Sequence, residues 1–482
     1  MAKSIPQNIE NRLYINGEFV ESSDGKKFDI ISPYSEEKVA SVYEATVEDT
    51  NKAVAAAKNA FPSWAELEPH ERGVYLSKLG DLCAQYHEEL AVLDAISMGR
   101  PVSSYFDGFY AAQQLHHYAE AGYYNKGESS LNSKGFVNIT FRQPIGVVGA
   151  IIPWNVPIIL AVHKIGPALA AGCTMVMKTS EKAPLAVIKL AVLAKEAGFP
   201  PGVLNIISGF GKPAGSTLAM HTDVRCINFT GSSATGKNHL TNISSRLGGK
   251  SPAIVFDDAD IEQAAKETAN SITFNAGQVC VANSRIYVQE SVASRFKSEF
   301  AKALRIYTPG NPLDPETTQG PQADVLQFKR VVEYLKIAKE QDGKGVVEMG
   351  GGKLDVAGGK GYFIQPTMII DQSETAQTMK DEIFGPVVGI NVFKTEKEAI
   401  AKAVDSEFGL YSAVYSKNID RALRVAKAME AGTVGVNCTS PTMAPDMPFG
   451  GWKHSGQGRE GFGYSLDNYL ETKAVYIKLS DA

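Results

Sequence analysis

TMVMKTSEKAPLAVIKLAVLAKEAGFPPGVLNIIS, residues 174–208, reads as strand, helix, strand. TMVMK is a short buried strand, PLAVIKLAVLAKEAG carries apolar residues at helical spacing, and VLNIIS is a second strand. The pattern extends outward in both directions. Upstream, LAVHKIGPALAAG (160–172) is helical; downstream come GSTLAM (215–220, helical), VRCINF (224–229, strand) and SSATGKNHLTNI (232–243), which opens another helix. Alternating strands and helices make right-handed βαβ units around a parallel sheet. A second α/β series begins at AIVF (253–256) and runs through IEQAAKETANSITFN, RIYVQE and two amphipathic helices up to Glu340. It continues with the helical runs TEKEAIAKAV and IDRALRVAKAME. LYINGEFVESSDGKKFDIISP (13–33) is hairpin-like, TVEDTNKAVAAAKNAF (46–61) begins helical structure that extends to about Tyr124, and FVNITFRQPIGVVGAIIP (136–153) is β structure interrupted at Pro-Ile-Gly. The tail NYLETKAVYIKL (468–479) alternates like an edge strand.

The bulk numbers agree with two or three packed regions. The chain has 482 residues, 44% hydrophobic and 21% charged, which is globular composition. A net charge of −5 provides no general attraction to nucleic acid or anionic membrane. No apolar run is long enough to span a bilayer, and the first residues resemble neither a signal nor a transit peptide. Five cysteines without framework spacing suit a reducing compartment, so a cytoplasmic location is expected.

Two features suggest phosphate chemistry. Gly231-Ser-Ser-Ala-Thr-Gly236-Lys237-Asn238 nearly spells a P-loop, but Asn238 stands where a magnesium-binding hydroxyl belongs. A strand running through Gly231 and Ser232 into a helix suits a pyrophosphate without magnesium, or an ordinary capped turn. One βα unit earlier, Lys178 and Glu181 follow a strand end, where ligands of open α/β sheets collect. A carboxylate there can accept both hydroxyls of a ribose, or simply sit in a helix N-terminal turn.

Cys280 differs from Cys83, Cys173, Cys226 and Cys438, whose small or apolar neighbours predict buried, inert thiols. It lies in FNAGQVCVANSR, where Gly277 allows close backbone approach and amide side chains supply polarity, as a thiolate nucleophile requires. The adjacent His116-His117 pair points in two directions and predicts no metal site; Asp257-Asp258-Ala-Asp260, ahead of a helical run, is expected to cap that helix rather than bind calcium. The glycines of EMGGGKLDVAGGKGYFIQP suit a loop or hairpin.

IIPWNVP, KIGPALAAG, KTSEKAP, NFTGSSATG, LGGKSP, FNAGQVCVANSR, DEIFGPV and PFGGWKHSGQGREG occur in the order found in the aldehyde dehydrogenase superfamily, which the sequence resembles over nearly its whole length. The resemblance implies a Rossmann-like cofactor domain (1–122 and 144–248) and a second α/β catalytic domain (249–450). It also implies a small β oligomerisation element (123–143 and 468–482), and thus a homodimer or homotetramer. It implies an aldehyde as small-molecule substrate and NAD as cofactor, with NADP the alternative that Glu181 disfavours. Cys280 becomes the nucleophile and Asn155 the oxyanion donor, and Lys164 and Glu460 match a pair assigned a proton-relay role. Cofactor contacts fall at Ile151, Pro153, Trp154, Lys178, Glu181, Gly211, Gly231, Ser232, Leu247, Glu382 and Phe384. Val156, His163 and Phe449 line the substrate tunnel, with His163 as a wall residue where many relatives carry tryptophan. No metal is implied.

The sequence also departs from the pattern. Hydrolytic members read Glu-Leu-Gly-Gly-Lys, and that glutamate activates water; here the residue is Arg246, which stays protonated. The preceding segment is shorter than the family's by about two helical turns, and ISSR (243–246) does not read as a buried strand. Three consequences follow as expectations: impaired deacylation, as in a weakened paralogue that binds NAD or completes oligomers; transfer of the acyl group to coenzyme A; or a substitute base, with Glu460 the candidate.

Overall fold

The computed structural model describes residues 2–231, 243–340, 345–442, 444 and 446–480. The chain opens on a hairpin, β1 (Leu13–Ile15) and β2 (Glu18–Val20), turned by Asn16 and Gly17 at φ of 53° and 80°. That left-handed pair is what a two-residue turn between twisted strands requires. Helix α1 (Val47–Glu66) begins in a reciprocal capping box between Thr46 and Asp49. Two further helices, Pro69–Gln85 and His87–Met98, lead to α2 (Asp107–Ala121). The interrupted β stretch becomes two strands, β3 (Phe136–Pro144) and β4 (Val147–Ile151). Then come α3 (Pro157–Ala170), β5 (Thr174–Lys178), α4 (Leu185–Ala197), β6 (Leu204–Ile207), β7 (Val224–Thr230) and β8 (Ile243–Arg246).

These strands form a seven-stranded sheet in the order β8-β7-β4-β5-β6-β1-β2, parallel from β8 to β6. The order reverses between β4 and β7, so their C-terminal ends flank the crevice where open α/β sheets bind ligands. Successive strand residues point to opposite faces, and the cores sort accordingly. Val148, Ala150, Met175 and Met177 pack with α3 and α4, whereas Val147, Val176 and Ile207 pack with Ala53, Val54 and Ala57 of α1.

β8 corrects an expectation. ISSR is polar, yet it pairs with β7 in parallel from Ile227↔Ile243 to Thr230↔Arg246. At the sheet edge a strand needs hydrogen bonds on one side only, so backbone pairing outweighs apolar content. The strand leading to the LGGKSP turn is therefore present. The helix expected from residue 232, Ser232 itself and positions 237–242 of the shortened segment lie outside the described residues.

The second series builds another seven-stranded sheet from β9 (Ser251–Val255), β10 (Asn283–Gln289), β11 (Val346–Met349), β12 (Thr367–Ile370), β13 (Val387–Phe393), β14 (Tyr411–Tyr415) and β15 (Thr433–Val436). Its order is β11-β12-β13-β10-β9-β14-β15, and the glycine-rich stretch is the hairpin joining antiparallel β11 and β12. Helices α5 (Ile261–Thr273) and α6 (Val325–Glu340) belong to this half; Asp260 caps α5 by accepting from Gln263 N. β16 (Leu470–Lys478) pairs antiparallel with β3 along nine residues, at the edge of a small third sheet. No helix among the described residues is long and apolar enough to cross a membrane.

Candidate active site

β9 and β10 are parallel neighbours with Ser251 opposite Asn283. The residues just before each strand, Gly248-Gly249-Lys250 and Cys280, therefore stand side by side. A Cβ on Gly249 would lie 2.2 Å from the Cys280 carbonyl oxygen, so only glycine fits there. The C-terminal ends of β4 and β7 face this edge across a pocket. Pro153, Trp154, Asn155, Gly231 and Leu247 line it from one side, and Cys280, Glu382 and Phe384 from the other.

The approach to Cys280 is a strained turn. Asn275, Ala276 and Gly277 have φ of 50°, 54° and 75°, a left-handed run that alanine adopts only under constraint. Gly277 has no alternative, because a Cβ would sit 2.2 Å from the Gly385 carbonyl. The turn is pinned through Gln278, whose Oε1 accepts from Ala323 N (2.8 Å) and whose Nε2 donates to Asn275 O (2.9 Å). Asn155 Nδ2 donates to Gln278 O (3.0 Å), and Asn155 O accepts from Asn275 Nδ2 (2.9 Å). This exchange fixes the Asn155 carboxamide beside the turn that carries Cys280.

Among the cysteines, Cys280 is the one on the pocket wall, and it is partly exposed. Burial pushes the Cys83 and Cys173 thiols up to about 12, so both are inert at neutral pH. Cys226 and Cys438 differ from the expectation of full burial and keep partial exposure. Cys226 precedes Ile227, where pairing with β8 starts, and Cys438 follows the edge strand β15.

Glu382 reaches the same glycine turn. Its Oε1 accepts from Gly249 N at 2.8 Å, and α6 holds its loop through Arg330 to Glu382 O and Gln327 to Phe384 O, both 2.7 Å. Phe384, at φ 62°, meets the Trp154 ring edge-on with centroids 5.4 Å apart. The low-polarity surroundings push the Glu382 carboxyl up to about 7, against the Gly249 N–H, which favours the ionised form. Lys250 is fully buried, and desolvation together with Arg285 brings its amine down to about 7.

At the far end of the pocket the wall includes Val156, His163 and Phe449. His163 Nε2 shares a hydrogen with Tyr110 OH at 2.8 Å, and its Nδ1 lies 3.6 Å from Glu460 Oε2. His163 thus lies on the pocket wall with both ring nitrogens directed at neighbouring side chains. Next to it on α3, Lys164 pairs with Glu460, both essentially inaccessible to solvent. Phe449 and Glu460 are bridged antiparallel, Phe449 toward the pocket and Glu460 behind it.

The structure does not bring every sequence-derived residue to this wall. Lys164 and Glu460 lie behind it; Ile151, Lys178, Glu181 and Gly211 lie toward the C-terminal edge of the first sheet. There Ile151 is in register with Lys178, and Lys178 Nζ stands 3.5 Å from Glu181 Oε2. Gly211 follows β6 at the start of a short helical turn. Phe106, Phe274, Lys182, Gln327 and Arg330 line the pocket without having been expected. Phe274 opens the FNAGQVC stretch that carries Cys280, and its place in that stretch is the signal that could have found it. Gln327 and Arg330 sit on an ordinary amphipathic helix, where nothing local distinguishes them.

The aldehyde dehydrogenase family model matches residues 19–475. The chain belongs to the aldehyde dehydrogenase family. An aldehyde dehydrogenase of Emericella nidulans is 42% identical over 98% of this chain and 95% of its own length. The NAD+ complex of a Bacillus cereus aldehyde dehydrogenase superposes with TM-score 0.94 at 38% identity, covering 98% of this chain and 97% of that one. A Staphylococcus aureus betaine aldehyde dehydrogenase, solved with NAD+ and a modified cysteine, gives TM-score 0.95 at 36% identity, covering 98% and 99%. The family's α/β architecture thus accounts for the facing sheets.

Proposed function

We propose that the protein oxidises an aldehyde to a carboxylic acid with NAD, holding the carbon on Cys280 first as a thiohemiacetal and then as a thioester. The observation that carries this reading is the locked juxtaposition of Asn155 and Cys280 through Gln278 and Asn275. Thiolate attack on the carbonyl makes an oxyanion; a second N–H of the Asn155 carboxamide and the Cys280 backbone N–H are its donors. Asn155→Ala is expected to lower kcat by ~10²–10³-fold, with the burst of product measured by stopped flow.

The residues present fit a dinucleotide. Glu181 keeps part of its carboxylate exposed beside buried Lys178, placed to accept ribose hydroxyls and to repel a 2′-phosphate. Gly231, just after β7, lines the same pocket as Glu382, Phe384 and Cys280, which supports a pyrophosphate at the first and a nicotinamide ribose and ring at the next two. NAD, when bound, supplies the hydride acceptor. The aldehyde enters from the opposite end, between Val156, His163 and Phe449.

Pre-steady-state NADH release tests the reading. A burst stoichiometric with Cys280 is expected; its absence across a panel of aldehydes removes the proposal. Repeating the measurement with coenzyme A separates hydrolysis from acyl transfer, since only the latter accelerates.

The division into cofactor, catalytic and oligomerisation segments is proposed on the same grounds. The third sheet ends in β16, with Tyr476 and Ile477 exposed on it. A second copy covering this edge makes a homodimer or homotetramer, and ending the chain at Leu470, which keeps the buried Tyr469, is expected to yield monomers in sedimentation.

A further inference from the structure

We propose that Glu382 is the base that activates water to cleave the Cys280 thioester. The inference rests on the reading of Cys280 as the acylated nucleophile. It answers the question that Arg246 raises, since arginine cannot accept a proton at the position where a glutamate was expected.

The argument is one of placement. The described pocket wall carries one carboxylate and one imidazole, Glu382 and His163. Both nitrogens of His163 are directed elsewhere, Nε2 at Tyr110 OH (2.8 Å) and Nδ1 at Glu460 (3.6 Å). Glu460 lies behind the wall, joined to Lys164. Glu382 instead faces the pocket from the other side of the Gly248-Gly249 turn. One of its oxygens is held by Gly249 N at 2.8 Å, and the same residue abuts the Cys280 carbonyl. The Gly248-Gly249 turn thus touches both the Glu382 carboxylate and the Cys280 backbone, and both residues open onto the same pocket, where water can enter. The second oxygen, Oε2, lies only 2.0 Å from where a Cβ on Gly248 would be, so glycine at 248 is what lets the carboxylate enter.

The setting also suits proton transfer. Facing the carboxyl are the buried ammonium of Lys250, the Arg330 guanidinium on α6 and the Gly249 N–H, with Asp381 adjacent in sequence acting on Lys250. Burial outweighs these favourable contacts and raises the carboxyl to about 7, close to the value at which a general base works best. In the step, the water oxygen bonds to the thioester carbon while its proton passes to Glu382. The tetrahedral species then collapses with cleavage of the carbon–sulfur bond, releasing the acid and the Cys280 thiolate; the proton leaves Glu382 to solvent.

The test uses the full chain without cofactor, so that no ribose competes for the carboxylate. p-Nitrophenyl acetate acetylates Cys280 directly, with nitrophenolate release reporting acylation and intact-mass spectrometry reporting acyl-enzyme. Glu382→Gln keeps an acceptor for Gly249 N and is expected to preserve the burst while slowing deacylation by ~10²-fold or more. Acetyl-enzyme then accumulates, and hydroxylamine, which needs no base, restores turnover. In the unaltered protein deacylation is expected to rise with pH through about 7, because the ionised carboxylate is the active form; the variant loses this inflection. Deacylation at the unaltered rate in Glu382→Gln overturns the proposal, as does a stall in Glu460→Gln without one in Glu382→Gln. A protein that shows no burst and no acetyl adduct at Cys280 fails the nucleophile reading instead, a distinct outcome.

Discussion

Cys280→Ala is expected to abolish NADH release with every aldehyde, lowering turnover on the order of 10⁴–10⁶-fold, the range seen when a covalent nucleophile is removed. The effect is large because no other thiol can substitute. Cys83 and Cys173 are buried with thiols raised to about 12, and neither Cys226 nor Cys438 is on the pocket wall. The substitution removes one sulfur from a partly exposed position, so the fold is expected to remain intact, with an unchanged melting temperature. Turnover of Cys280→Ala within tenfold of the unaltered protein would transfer the chemistry to another group.

The second large effect concerns stability. Lys164 and Glu460 form an ion pair inside the protein, at 0% and 1% exposure, with His163 beside the carboxylate. Lys164→Ala leaves that carboxylate buried and without its ammonium, and is expected to cost about 3–5 kcal/mol of unfolding free energy, measured by urea titration. Replacing both partners with apolar residues of similar volume is expected to recover most of it, because the desolvation of the two charges is removed with their attraction. A double variant that remains as unstable as the single one would mean the loss is packing rather than charge. If the pair also relays protons, the restored double variant still shows an altered pH–rate profile; an unchanged profile limits the pair to architecture.

Local rules read correctly where one segment suffices. The Asn16-Gly17 hairpin, the Asp260 cap and the β3–β4 interruption each depend on a few adjacent residues whose preferences agree with the final fold. They failed for ISSR, because the stability of β8 comes from backbone pairing with β7, which the segment itself does not encode. They also failed for Arg330 and Gln327, whose importance arises only from the loop that α6 happens to meet.

The sequence by itself determined the family and the alternation of strands and helices. It also placed the cysteine with a polar, glycine-flanked setting, since motif order, hydrophobic period and residue chemistry are one-dimensional properties. Only the tertiary structure decided which carboxylate reaches the pocket that Cys280 lines. Glu460 and Glu382 are both distant from Cys280 in the chain. The antiparallel bridge to Phe449 turns one behind the pocket wall, and the parallel pairing of β13 with β10, itself beside β9, brings the other to the glycine turn beside Cys280. That choice depends on strand pairing across more than a hundred residues, which no local pattern specifies.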